Sequence, residues 1–391
     1  MDVNQPLTLL AGLTPLQFMR RHWQKKPLLV RQAIPGFKPL LSRVELFKLA
    51  VQQQVESRLV LHQAKGWRMK QGPFGPRSLP PLATPGWTLL VQGVDLHNRR
   101  AHELLQRFRF APDARLDDLM ISFATAGGGV GPHFDSYDVF LLQASGRRRW
   151  KIGRQKDLTL QEGVPLKILQ NFAPSQEFVL EAGDMLYLPP RYAHDGLAEP
   201  CPGEGGKAAD CMTYSIGFRA PRQAELAGEV LQRLADFYGD EESASSQRLY
   251  RDPSQAATAT PAALPPSLLE FATNAVHDAL KDPLALSCAL GEYMSEPKAS
   301  VWFEGPSGGW RPRHKGGVCL DPRTRMMYDA HHVFINGESY RAKGADADLM
   351  RRLADQRCLA AGELRRVSPS ALTLLAGWHE AGWLVHPQAP A

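Results

Sequence analysis

Two residue types stand close together where they could do chemistry: His133-Phe134-Asp135, with a further histidine, His194, about sixty residues downstream. Two imidazoles and one carboxylate form the donor set that holds ferrous iron with positions left open for other ligands. In an extended strand residues i and i+2 share a face, so His133 and Asp135 can reach one metal. The third donor must come from another strand or loop. H-x-D alone recurs often by chance as exposed polar residues, so the flanking chain carries the weight. Gly127-Gly128-Gly129-Val130-Gly131-Pro132 leads straight into His133, and glycines let backbone approach a site closely.

An apolar run, Val139-Phe140-Leu141-Leu142, follows the pair, then a Ser145-Gly146 turn and Arg147-Arg148-Arg149-Trp150-Lys151-Ile152. Alternation puts Arg147, Arg149 and Lys151 on one face of a strand and Arg148, Trp150 and Ile152 on the other. One guanidinium therefore shares the apolar, inward face. Buried, it needs a carboxylate, either an internal Asp or Glu or one arm of a dicarboxylate such as 2-oxoglutarate. Further on, Phe178-Val179-Leu180, a Gly183-Asp184 turn and Met185 to Leu188 read as two strands stopped by Pro189-Pro190, with His194 on the loop beyond.

These segments, with Thr213-Tyr214-Ser215-Ile216-Gly217-Phe218-Arg219 and, near the start, Thr14-Pro15-Leu16-Gln17-Phe18 and Trp23-Gln24-Lys25-Lys26-Pro27-Leu28, resemble the JmjC-type ribosomal oxygenases in their bacterial branch. The resemblance covers essentially the whole chain. It implies an Fe(II)- and 2-oxoglutarate-dependent protein hydroxylase that consumes dioxygen, with iron on His133, Asp135 and His194 and 2-oxoglutarate on Arg148. Eukaryotic relatives carry lysine at the place of Arg148. The implied substrate is an arginine side chain of the sixteenth protein of the large ribosomal subunit. Ser215 and Tyr137 are candidates for holding that side chain, with a core aromatic as the alternative for Tyr137. Demethylation of N-methyl-lysine, or a cupin sensor with a DNA-binding helix, are the competing functions.

The expected fold is α+β. A double-stranded β-helix of the cupin (JmjC jelly-roll) type spans residues 1–220, a helical dimerisation region with a linker 221–298, and a winged-helix-like domain 299–391. Thr14 caps a helix with proline at its first position; Ser42 to about Gln54 forms a second, and Leu119 to Phe123 a strand. Apolar residues at helical spacing mark 222–238 and 267–280. Neither helix has a core of its own, so each must pack on the barrel or on a partner subunit, and the resemblance favours a homodimer. Asn336-Gly337 between apolar residues signals a hairpin.

The chain has 391 residues, 43% of them hydrophobic, a net charge of +6 and five cysteines. The basic balance would suit nucleic acid or a ribosomal particle, and equally an ordinary basic protein with no such partner. A basic substrate would also need acidic residues at the mouth of the site, and Asp117, Asp118 and Asp138 are candidates by position. Between 301 and 391 twelve Lys and Arg stand against nine Asp and Glu, so DNA binding is not expected. No apolar run reaches about eighteen residues, so no membrane span is expected, and Met1 to Leu13 lacks a signal-peptide pattern. The odd, scattered cysteines argue against a disulfide framework and fit a cytoplasmic protein. His331-His332 lacks a third donor at metal-binding spacing.

Overall fold

The computed structural model describes residues 2–63, 66–75, 77–201, 209–240, 249–305, 308–310, 317–341 and 343–386. They form two compact units that divide between Ala220 and Pro221. No helix among the described residues is long and apolar enough to cross a membrane.

The first unit opens with α1 (Pro15–Arg21), where Thr14 and Gln17 form a reciprocal capping box. After β1 (Leu28–Val30), Ser42 and Glu45 cap α2 (Arg43–Leu49) in the same way. This helix stops about five residues short of the sequence expectation. The Ala50 carbonyl accepts the Phe74 amide at 2.8 Å and is not available to continue the helix. Strands β2 (Ser57–Gln63), β3 (Gly66–Gln71) and β4 (Trp87–Val91) and helix α3 (Arg99–Gln106) follow. Then come β5 (Leu116–Ala124), β6 (Val139–Ser145), β7 (Arg147–Gly153), β8 (Gln176–Leu180), β9 (Met185–Leu188), β10 (Ala193–Glu199) and β11 (Cys211–Phe218).

These strands build an eight-stranded sheet, β1-β9-β6-β11-β5-β4-β2-β3, and a three-stranded sheet, β10-β7-β8, all by antiparallel pairs. Period-two alternation gives the large sheet two different faces. Its outer face carries Phe140, Tyr187, Tyr214 and Phe218 and packs with Phe18 of α1. Its inner face turns Val139, Leu141, Leu186 and Leu188 toward Trp150, Ile152 and Leu180 of the small sheet. This is the double-stranded β-helix expected from the sequence, and the space between its sheets is the lumen in which chemistry can be enclosed.

In the second unit α4 (Gln223–Asp240) and α6 (Pro283–Ser295) pack around Leu234, Ala285 and Ala289. Helix α5 (Pro266–Leu280) buries none of its side chains. Periodicity found α4 and α5. It did not find α6, whose apolar residues are spread around its circumference rather than confined to one face. Strands β12 (Val318–Leu320), β13 (Met326–Tyr328), β14 (His332–Ile335) and β15 (Glu338–Arg341) come next. They are followed by α7 (Gly344–Gln356), β16 (Cys358–Leu359), α8 (Pro369–Glu380) and β17 (Leu384–Val385). The β14–β15 turn is Asn336-Gly337, both at positive φ, the two-residue hairpin read from the sequence.

One expectation fails in this unit. Cys319 of β12 and Cys358 of β16 are directly paired in register and joined as a disulfide. Their 39-residue separation in sequence says nothing about strand pairing, which is what brings the two thiols together. The buried His332 turns its Nδ1 to Asp329 at 3.3 Å, while His331 stays exposed.

Candidate metal centre and cosubstrate pocket

His133 and His194 face each other across a single antiparallel bridge, with reciprocal backbone hydrogen bonds of 2.9 and 2.8 Å. The glycine loop makes this possible by zipping onto the edge of β10. Gly127 N donates to Ala198 O at 2.8 Å and Ala198 N to Gly128 O at 2.9 Å. A side chain at Gly129 would sit 2.6 Å from the Gly196 carbonyl, closer than any real Cβ tolerates. The candidate ligands sit elsewhere in the fold than expected. His133 and Asp135 lie on the connection between β5 and β6 rather than inside a strand. His194 lies in β10 rather than on a loop beyond a strand. The extended backbone at the bridge still presents both members of the H-x-D pair to one point.

Ligand atoms of His133, Asp135 and His194 all fall within 4.8 Å of one another, the one such cluster among the described residues. His194 Nε2 is 3.7 Å from Asp135 Oδ2, and the two imidazole centroids are 4.2 Å apart. Each imidazole is oriented through its other nitrogen. His133 Nδ1 is 2.8 Å from the Gly131 carbonyl and His194 Nδ1 is 2.9 Å from the Tyr192 carbonyl. With Nδ1–H donating to these carbonyls, both Nε2 lone pairs remain for a cation. Burial pushes His194 down to about 4, with His133 adding to the effect and Asp135 opposing it. At neutral pH it is thus an uncharged donor. The orienting carbonyls had no signal in the sequence, because any residue supplies one.

The register of the small sheet places the rest. Opposite His194, Gly196 and Ala198 of β10 stand Ile152, Trp150 and Arg148 of β7. Arg148, Trp150 and Ile152 are buried while Arg147, Arg149 and Lys151 are partly open, which matches the alternation read from the sequence. The outward Arg149 is spoken for by Glu177 and Glu199. Arg148 is not: it is 3% exposed, and its Nε and Nη2 have no hydrogen-bond partner. Of the two alternatives left by the sequence, no internal carboxylate among the described residues pairs with these two atoms. A buried guanidinium in this state calls for an anion. Across the lumen, Ser122, Thr213 and Gln143 form one cross-strand row on β5, β11 and β6. They are satisfied among themselves: Thr213 Oγ1 donates to Gln143 Oε1 at 2.8 Å and Ser122 Oγ to the Thr213 carbonyl at 3.3 Å.

Tyr137 is no core aromatic. The residue is 39% exposed, and its hydroxyl stands near Asp135 and Asp118. Burial first, then these two carboxylates, raise the phenol well above its ordinary range, so it stays protonated. Of the three acids named as candidates, Asp138 is wholly structural, accepting from Tyr187, Gln24 and Arg115 at 2.6, 3.0 and 3.2 Å. Asp117 lies 3.8 Å from Arg219. Asp118 alone is buried on the lumen side, held by Gln92 Nε2 at 2.8 Å and Gly93 N at 3.1 Å. A side chain on Gly217 would stand 3.7 Å from its Oδ1 and 4.0 Å from the Tyr137 ring, so this glycine keeps open the space they border. Ser215 stands two residues before Gly217 on the same face of β11, paired with Met120 and Leu141.

A cupin barrel with a two-histidine, one-carboxylate cluster and an unpaired buried arginine defines the class of the 2-oxoglutarate-dependent oxygenases. Comparison with known proteins narrows this. Residues 103–226 match the JmjC domain model and 278–385 the ROXA-like winged helix model. The ribosomal protein uL16 3-hydroxylase of Escherichia coli is 32% identical over 376 residues, spanning 94% of this chain and 96% of that protein. Ribosomal oxygenase 1 of Gallus gallus is 29% identical over 49% of this chain and 34% of its own length. The structure of YcfD, a ribosomal oxygenase from Escherichia coli, in complex with cobalt and 2-oxoglutarate superposes with a TM-score of 0.78 at 32% identity. It covers 95% of this chain and 98% of that one. A complex of the same protein with cobalt and succinic acid gives 0.77. The chain belongs to the JmjC-domain ribosomal oxygenases.

Proposed function

We propose that this protein is an Fe(II)- and 2-oxoglutarate-dependent hydroxylase acting on an arginine side chain of ribosomal protein uL16. The observation that carries the reading is Arg148, a buried guanidinium with two unpartnered nitrogens on the lumen face that also bears His194. His133, Asp135 and His194 would hold the iron, and Arg148 a carboxylate of 2-oxoglutarate. When bound, the pair uses dioxygen to insert one oxygen atom into a C–H bond of the substrate, releasing succinate and carbon dioxide.

The chain's own residues prepare that site. The Gly131 and Tyr192 carbonyls fix both imidazoles in the tautomer that offers Nε2. The two sheets exclude water around Arg148, which strengthens a charged pair formed there. Asp118 and Tyr137 offer a carboxylate and an aromatic wall to a guanidinium, and Ser215 a hydroxyl, beside Asp135. The relative named a uL16 3-hydroxylase supports this substrate. Residues 221–298 are proposed as the dimerisation region and 299–391 as a winged-helix domain that contacts protein rather than DNA, in a cytoplasmic enzyme.

Mass spectrometry of ribosomal proteins from cells with and without the gene tests the function. A +16 shift on one uL16 arginine, present only with the gene, is expected. A shift on histidine would move the protein to the histidine-hydroxylating relatives. Stoichiometric formaldehyde from a methyl-lysine peptide would make it a demethylase, and salt-sensitive, sequence-selective DNA binding without turnover a regulator.

A further inference from the structure

We infer that Trp150 is a cosubstrate-binding residue whose indole N–H donates a hydrogen bond to the dicarboxylate held by Arg148. The inference rests on the 2-oxoglutarate reading above and deepens it. Trp150 is 5% exposed, and its Nε1 has no hydrogen-bond partner. A buried indole N–H ordinarily finds an acceptor. On the lumen face of β7 the atoms lacking partners are Arg148 Nε, Arg148 Nη2 and Trp150 Nε1. All three are donors, two residues apart on one face, while the polar row across the lumen is satisfied internally. A set made of donors alone calls for a ligand made of acceptors, which describes a dicarboxylate.

The ring is also where such a ligand must pass. The Arg148 guanidinium carbon lies 5.8 Å from the centroid of the Trp150 ring, and the His194 ring lies 5.8 Å away from it. A molecule reaching from Arg148 to the histidine cluster therefore runs along the indole. Gly196 holds the ring in this place. A Cβ there would meet the six-membered ring at 2.5 to 2.8 Å, so only glycine lets it lie against β10. Phenylalanine would retain the wall and lose the donor.

The test uses full-length protein labelled with 15N at the indole nitrogens, loaded with Mn(II) for calorimetry and metal-free or Zn(II)-loaded for NMR. The Trp150 cross-peak is assigned by its absence in Trp150→Phe. Adding 2-oxoglutarate is expected to shift that peak downfield and slow its exchange with solvent. By calorimetry Trp150→Phe should bind 2-oxoglutarate about five- to thirty-fold more weakly, the range for one buried hydrogen bond left unmade. If Trp150→Phe does not fold, benzothienylalanine at 150, with sulfur in place of N–H, serves both measurements. A wild-type protein that binds 2-oxoglutarate with the Trp150 resonance unmoved and the variant's affinity unchanged overturns this inference alone. A wild type that binds no 2-oxoglutarate overturns the cosubstrate reading itself.

Discussion

At the scale of single residues the site is built from groups held by what they do not themselves choose. His133 and His194 are aimed by backbone carbonyls, Asp135 by a loop whose shape depends on glycine. Removing one donor of a set of three leaves too few to hold the metal. His194→Ala is expected to abolish both metal binding and turnover, and a fully active variant would refute the assignment. Arg148→Ala should raise the KM for 2-oxoglutarate far more than the KM for peptide, because a charged pair in a closed barrel is lost. Arg148→Lys keeps the charge and should be milder. If Arg147→Ala showed the defect instead, the functional guanidinium would be the outward one and the strand reading wrong by one residue. Gly196→Ala forces the Trp150 ring to move, and thermal unfolding should report a loss of roughly 1–3 kcal/mol.

At the scale of elements, each segment near the site exists to set a register. The reciprocal bridge of His133 with His194 is one residue pair long, yet it decides which side chains meet. In the second unit the turn into β14 depends on Asp329, whose Oδ1 accepts the His331 and His332 amides at 2.7 and 2.6 Å. Ser287 donates to its other oxygen. Burial opposes ionisation, but these donors outweigh it and hold the carboxyl down at about 2 against an ordinary 3.8. A depressed carboxyl gives stability that is complete above pH 3.8 and is lost as pH falls toward 2. Equilibrium unfolding should show a loss of roughly 1–2 kcal/mol across that window, and Asp329→Asn should flatten it. An unchanged pH profile in the variant would place the acid sensitivity elsewhere.

At the scale of the whole molecule, the apolar surface left on the second unit needs an explanation. Leu269 is 66% and Val276 56% exposed on α5, and Leu231 and Phe237 of α4 are also open. A fifteen-residue helix that buries none of its side chains is marginal alone. A partner copy would supply the missing contact, with an interface on the order of 1,600 Å² for a stable dimer. Sedimentation of the full chain at micromolar concentration is expected to show a dimer, and Leu269→Asp with Val276→Asp a monomer. A wild-type monomer would remove the idea.

The alternation around Arg148, the Thr14 cap, the helix start at Ser42, the Asn-Gly hairpin and the H-x-D pair were legible in the sequence. Each depends on neighbours within a few residues, where backbone geometry acts directly. The place of His194 in β10, the two unpartnered nitrogens of Arg148, the burial of Asp118 rather than Asp138 on the lumen side, and the Cys319–Cys358 disulfide were decided by the tertiary structure alone. Each is a relation between strands distant in sequence. Hydrophobic burial sets which faces turn inward, but the register of pairing decides which polar groups then meet a partner and which are left waiting for one.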